Sequence, residues 1–380
     1  MRVYFIFIVV FCIARSVIAQ THGSDYVVGQ SFSIASTAFN DEREIQVFTP
    51  EGYETSNKSY PVLYVLDGQR WYLHAVGLET LFSEYKYTPE FIVVGIPTLD
   101  SGRFGFFANT SKLIDFLQLD VINFVDNNFR STNERLLFGW QFAGSFALEA
   151  FTHESRLFNA YFAASPIPIS DKKLADIEGF ITKNPEANSS LFFTSSINEG
   201  QVQRGTKRLD SLLLANAPET IDWTYKKLHL EELSSFGHRT TPLQTLYYGL
   251  RSYFQDYTLL EFNDIQSYKN LGGFSYVEEY YKNRGGKYGV SSKIPPEGMF
   301  FLVRLSLDEN HYETFDFFIS RFGDDGLFDY TNRGWTSRYA EFYIKHNQSE
   351  KAIEIYELLS EKYPNHSKTH ERLAELRRKN

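Results

Sequence analysis

Three polar side chains interrupt the apolar runs of the chain at glycine-bounded turns. They are Gln141 in Phe138-Gly139-Trp140-Gln141-Phe142-Ala143-Gly144-Ser145, Glu199 in Ile197-Asn198-Glu199-Gly200, and His238 in Phe236-Gly237-His238-Arg239-Thr240-Thr241-Pro242. Acyl transfer of the serine type needs a nucleophile, a His to take its proton, a carboxylate to orient that His, and two backbone N–H groups to hold the oxyanion. His238 and Glu199 are of the right types for base and acid. Gln141 breaks the set, because its amide lone pair is delocalised and it has no ionisable proton near neutral pH. Two substitutes for a nucleophile remain in the sequence. Ser145 lies in a small-x-Ser-x-small context, but it falls a turn into the following helix and should point away from the loop. A water activated by His238 and Glu199 would give slow hydrolysis at best. Asp67 and Asp100, at neighbouring strand ends, compete with Glu199 for the role of acid.

The elements that position these residues read as strands alternating with helices. Gly29 to Ser36 and Arg43 to Pro50 alternate in period two around Asn40-Asp41, an antiparallel pair. Tyr60 to Leu66, Phe91 to Pro97, Arg135 to Gly139 and Ser190 to Thr194 are continuous apolar runs of the kind that parallel strands buried on both faces require. Ser111 to Asn128 carries a helical apolar stripe, and a helix is expected from Leu243 to Phe254. The pattern predicts a mostly parallel sheet with helices on both faces, whose ligands bind beyond the carboxyl ends of the strands. The loops after Leu66, Ile96, Phe138 and Thr194 fall there, and they carry Asp67-Gly68-Gln69, Thr98 to Ser101, Gln141 and Glu199.

From about residue 260 strand-like runs disappear. Pro295-Pro296 opens a helix pair ending near Phe322, and Gly334-Trp335 opens another ending at Tyr363-Pro364. Ala340, Tyr343, Ala352, Tyr356, Leu359 and Pro364 resemble the tetratricopeptide pattern, and a partial helix follows from Ser367 to Arg378. So short an array should pack on the α/β part, and it offers a surface for a protein partner. The organisation expected is a signal peptide over 1–19, an α/β domain over 20–260 and a helical, tetratricopeptide-like domain over 261–380.

Composition narrows the rest. Met1-Arg2, the apolar run Val3 to Ala14 and Ser16 to Ala19 read as a secretory signal cleaved after Ala19, which predicts a secreted or periplasmic protein with no membrane span after cleavage. Cys12, the one cysteine, lies in that leader, so the mature chain has no thiol nucleophile. A formal net charge of -9 argues against nucleic acid as a partner, since phosphate neutralisation needs clustered Lys and Arg. Neither a phosphate loop nor a metal-ligating cluster is legible, so no cofactor and no metal are expected.

Pro61 to Gly68, Val93 to Pro97, Leu137 through Leu148, and His238 with Pro242 and Leu246 to Arg251 resemble the putative-esterase family. That family includes enterochelin-type siderophore esterases, S-formylglutathione hydrolases and mycolyltransferases, all α/β-hydrolase folds without a cofactor. The resemblance runs from about residue 30 to 257. It implies the order nucleophile, acid, His for positions 141, 199 and 238, with the backbone N–H groups of Gln69 and Phe142 as oxyanion donors. The chain departs from the family in three places. The family's Gly-His-Ser-x-Gly-Gly elbow reads Gly139-Trp140-Gln141-Phe142-Ala143-Gly144, with Gln141 in the nucleophile's place. Trp140 replaces a His, and Ser101-Gly102-Arg103-Phe104-Gly105 stands where an Arg-Asp-x-Thr-Pro run is common. The resulting expectation is an esterase-like protein of little or no activity that binds a small-molecule or acyl-ester ligand in its cleft. The competing expectation is an active ester or thioester hydrolase using Ser145 or a His238-activated water.

Overall fold

A computed structural model describes residues 27–98, 102–229 and 234–379. The expected signal peptide, Cys12, Asp100 and Ser101 lie outside the described residues. Eight strands form one sheet: β1 (Gln30–Ser36), β2 (Asp41–Phe48), β3 (Tyr60–Leu66), β4 (Ile92–Ile96), β5 (Ser131–Trp140), β6 (Ala160–Ala164), β7 (Ser189–Ser196) and β8 (Ile221–Leu228). Their order is β1-β2-β4-β3-β5-β6-β7-β8. The β1–β2 and β2–β4 pairs are antiparallel and the other five parallel, as the buried apolar runs required.

Period-two alternation within the parallel strands feeds two separate cores. Tyr64, Val94, Leu137, Tyr161 and Phe193 face one side of the sheet, and Val65, Val93, Phe138, Phe162 and Phe192 face the other. On the second face lie α1 (Gly68–Glu84) and, near the end of the α/β part, the helix Ser234–Tyr253. The first face is covered by α2 (Arg103–Ala108), α3 (Thr110–Asp115), α4 (Asn123–Asn128), α5 (Phe142–Phe151), α6 (Asp171–Lys183) and α7 (Gln201–Asn216). The apolar stripe read over Ser111 to Asn128 is a nearly continuous helical run, with a π-helical segment at Phe116–Ile122 between α3 and α4. Within that segment the buried Asp120 accepts hydrogen bonds from Ser36 Oγ at 3.1 Å, Thr37 N at 3.0 Å and Thr37 Oγ1 at 2.7 Å, which ties down the β1–β2 turn.

Ser234–Tyr253, α8, corrects one expected boundary. The helix was expected to begin after His238, yet it starts at Ser234 and contains both His238 and Pro242. Proline is tolerated inside it for an identifiable reason. Residue 242 would donate its N–H to the carbonyl of His238, and Pro has none to donate. That carbonyl instead accepts from Trp140 Nε1 at 3.1 Å and Thr241 Oγ1 at 3.0 Å.

The tail is all helix: α9 (Ile265–Asn270), α10 (Phe274–Tyr288), α11 (Pro296–Asp308), α12 (Tyr312–Phe322), α13 (Phe328–Tyr330), α14 (Arg333–Lys345), α15 (Ser349–Lys362) and α16 (Ser367–Lys379). It has its own core, in which the small residues Ala340 and Ala352 are fully buried among Phe315, Tyr339 and Tyr356. The tail meets the α/β part at the amino ends of the strands. Tyr288 Oη donates to Asp256 Oδ1 at 2.6 Å and Lys287 Nζ to Asp256 Oδ2 at 2.7 Å. A cavity of about 500 Å³ opens at this junction, between Pro61, Glu90, Asn159, Tyr257 and Tyr288. Among the described residues no helix is long and apolar enough to cross a membrane.

Candidate active site

At the carboxyl end of β5 the chain reverses into α5 through Gln141, whose φ of 57° and ψ of −114° form a conformation that L residues rarely adopt. Two glycines make the reversal sterically feasible. A Cβ on Gly139 would stand 2.3 Å from the Ala143 carbonyl oxygen, and one on Gly144 would stand 3.0 Å from that of Ala164. Gln141 N donates to Ala164 O at 3.0 Å, and Gln141 O accepts from Ser145 N at 2.8 Å and Ile167 N at 3.2 Å. The strained residue is therefore held on all sides, with its side chain aimed off the end of the sheet.

The three residues read from the sequence come together there. Gln141 Nε2 contacts His238 Nε2, and His238 Nδ1 contacts Glu199 Oε1. Glu199 is fixed in turn by Ser165 Oγ, 2.7 Å from Oε1 and 3.0 Å from Oε2, and by Ser196 N at 2.6 Å from Oε2. Trp140, read as filling space beside the site, packs its ring 5.1 Å from the His238 ring and edge-on to Trp71 at 5.4 Å. Gln69 and Phe142 are first-turn residues of α1 and α5, whose N–H groups have no carbonyl to reach within their own helix. The Gln69 side chain is engaged elsewhere, accepting from Thr98 N at 2.9 Å and donating to Thr98 Oγ1 at 3.2 Å.

Arg103, on α2, is the member that residue-type reasoning missed. Its Nε lies 3.0 Å from both Asp67 carboxylate oxygens and its Nη2 lies 2.6 Å from Oδ2. Nη2 also donates to Trp140 O at 3.0 Å and Nη1 to Gln141 Oε1 at 3.2 Å. Asp67 is completely buried and also accepts from Thr98 Oγ1, so its partners are Arg103 and Thr98, and Glu199 is the carboxylate beside His238. The guanidinium is ringed by Phe107, Trp140 and Phe142 at 5.5–5.6 Å. The one signal for it in the sequence was an arginine in the loop after β4, at the same end of the sheet as Asp67.

The network fixes atom identities. Arg103 has only donors, so Oε1 of Gln141 must face it and Nε2 must face His238. An amide N–H donates, so His238 Nε2 accepts and its Nδ1–H donates to Glu199. This is the tautomer that a general base of a triad requires.

Ser145 is built into a different cluster. It is 3% exposed, and its Oγ donates to Pro168 O at 2.5 Å and accepts from Lys173 Nζ. Lys173 Nζ also reaches Ser145 O at 3.0 Å and Glu149 Oε1 at 2.6 Å. Burial draws the Lys173 ammonium below its usual pKa, and Glu149 opposes that shift. A cleft of about 890 Å³ between α5 and α6 has Glu149 and the buried Lys173 in its lining, and Gln141 is not part of it. Among the described residues no group of three or more His, Cys, Asp or Glu is placed to hold a metal ion.

Residues 36–216 match the family described as Putative esterase. No curated protein matches the chain in sequence. An IroE-like serine hydrolase from Shewanella oneidensis shares the fold at a TM-score of 0.59 and 21% identity, over 77% of this chain and 98% of its own. An uncharacterised protein from Capnocytophaga ochracea aligns at 0.59 and 15% over 92% of this chain and 99% of its own, helical tail included. The siderophore hydrolase EstB from Aspergillus nidulans aligns at 0.52 and 19%, over 62% of this chain and 98% of its own. Residues 36–216 thus resemble the putative-esterase family, and the solved structures share the fold of the α/β part of the chain.

Proposed function

We propose that this protein is an exported esterase homologue in which Gln141 stands where the family has its nucleophilic Ser, and that it acts as a binding or scaffold module with little or no hydrolysis of its own. The observation that carries the reading is the Gln141–His238–Glu199 chain of contacts. A base and its orienting acid are present, yet the group they address has no ionisable proton and no free lone pair. Losing the nucleophile of a triad typically costs several powers of ten in rate. The ligand expected is a small molecule or acyl ester entering beside Phe142 and the exposed Phe104, whose rings meet edge-on at 5.3 Å. The helical tail, which resembles tetratricopeptide units, is a candidate surface for a protein partner. Its junction, where Tyr288 lines a cavity with Pro61 and Glu134, lies at the opposite end of the sheet from Gln141.

The contrary reading, hydrolysis through Ser145, has against it that the Ser145 hydroxyl is buried and engaged by Pro168 and Lys173. Hydrolysis through a His238-activated water has against it that Nε2 of His238 already accepts from Gln141. Purified protein incubated with p-nitrophenyl acetate and a fluorophosphonate probe, beside a His238→Ala variant, tests the proposal. It predicts no His238-dependent turnover and no labelled serine. Turnover that vanishes in His238→Ala, or labelling at Ser145, would overturn it.

A further inference from the structure

Gln141 has the right length to do more than fill a vacancy. In an acyl-serine the side chain runs Cβ, Oγ, acyl carbon, carbonyl oxygen; in glutamine it runs Cβ, Cγ, Cδ, Oε1. The carboxamide of a Gln on this turn therefore copies the planar head of an acyl-enzyme, with a methylene for the ester oxygen and Nε2 in the place of the acyl chain's first carbon. The contacts show how that head is held. Oε1 accepts from Arg103 Nη1 at 3.2 Å, and Nε2 is the atom that meets His238 Nε2. The walls are preset. Arg103 is clamped by the buried Asp67 and by Trp140 O, and His238 by Glu199 and the Trp140 ring.

We propose that the space between Arg103 and His238 is a binding notch for a planar carboxamide or acyl head, and that the Gln141 side chain is its resident ligand. This deepens the reading of Gln141 as a non-nucleophile and rests on it. In the native chain an outside ligand is then excluded from the notch and held at the aromatic lip of Phe104 and Phe142, whereas removal of the side chain opens the notch to a small amide from solution.

The test is Gln141→Gly with acetamide as the probe. Glycine suits this position, since it adopts φ of 57° without the cost an L residue carries. Acetamide on the order of 100 mM should raise the Tm of Gln141→Gly by about 1–3 °C, the size expected for a ligand at several times its Kd. It should leave the native protein and a Gln141→Gly/His238→Ala double variant unmoved. A folded Gln141→Gly protein that ignores acetamide, or a native protein that responds equally, would overturn the proposal. A second measurement uses the native protein alone. The ¹⁵N resonance of His238 Nε2 should report a hydrogen-bonded acceptor, and a free, water-exposed imidazole would also overturn it. Because both readouts record binding and not turnover, they stay distinct from the esterase assay. Turnover in the native chain would remove the non-catalytic reading without altering the acetamide response.

Discussion

Gln141 and Ser145 stand four residues apart at the start of α5, and their surroundings differ in kind. Gln141 sits on a strained backbone at the end of β5, partly open to solvent, facing a base that is itself oriented. Ser145 has the better nucleophile's chemistry but lies on regular helix, with both hydroxyl functions committed to Pro168 and Lys173. The position on the strained turn, facing His238, thus lacks a nucleophile, and the potential nucleophile lacks that placement. Chemical type alone does not make a site; the backbone that presents the group to its partners does.

Each side of this comparison can be attacked separately. The largest stability effect is expected at the elbow end. Arg103→Ala leaves the completely buried Asp67 without its cation, and the loss should be about 3–5 kcal/mol in urea unfolding. A neutral result would mean that Asp67 and Arg103 do not brace the Gln141 turn.

Glu79 supplies the contrast of a buried acid without a cation. It is 2% exposed, Phe91 N reaches it only at 3.4 Å, and burial pushes its carboxyl from 4.5 up to about 8. Its folded pKa exceeds its unfolded one, so its contribution is fully present below about pH 4.5 and is lost as the pH rises towards 8. Glu79→Gln should abolish that part of the pH dependence, gaining roughly 2–4 kcal/mol over the native protein above pH 8.5 or so. Parallel stability–pH curves for the two proteins would contradict it.

The smallest effect belongs to Ser145→Ala. It should cost about 1–2 kcal/mol through one lost hydrogen bond and a less well satisfied Lys173, and change no ester turnover. A change in turnover without a change in stability would reverse the roles assigned to the two positions.

The sheet was legible where a strand is a continuous apolar run, as at Tyr60 to Leu66, and the candidate site where polar residues end such runs at glycines. Two strands were not singled out. Ala160-Tyr161-Phe162-Ala163-Ala164 is short and alanine-rich, a composition as suited to helix as to strand. Ile221 to Leu228 is an edge strand whose solvated side chains mask the period. Arg103 was missed because its role depends on Asp67, thirty-six residues away along the chain, and only the parallel pairing of β3 with β4 brings the two loops together. The early start of α8 was missed because Pro242 reads as a helix boundary, and the compensating donor, Trp140 Nε1, lies ninety-eight residues away from His238.

The central claim is that base, acid and turn are assembled and that only the nucleophile is absent. Gln141→Ser tests it most directly, with p-nitrophenyl acetate turnover measured beside the native protein and a Gln141→Ser/His238→Ala double variant. The account predicts a gain of at least about a hundredfold over the native protein, a fraction of what a complete triad supplies, and its loss in the double variant. A correctly folded Gln141→Ser protein as silent as the native one would contradict it.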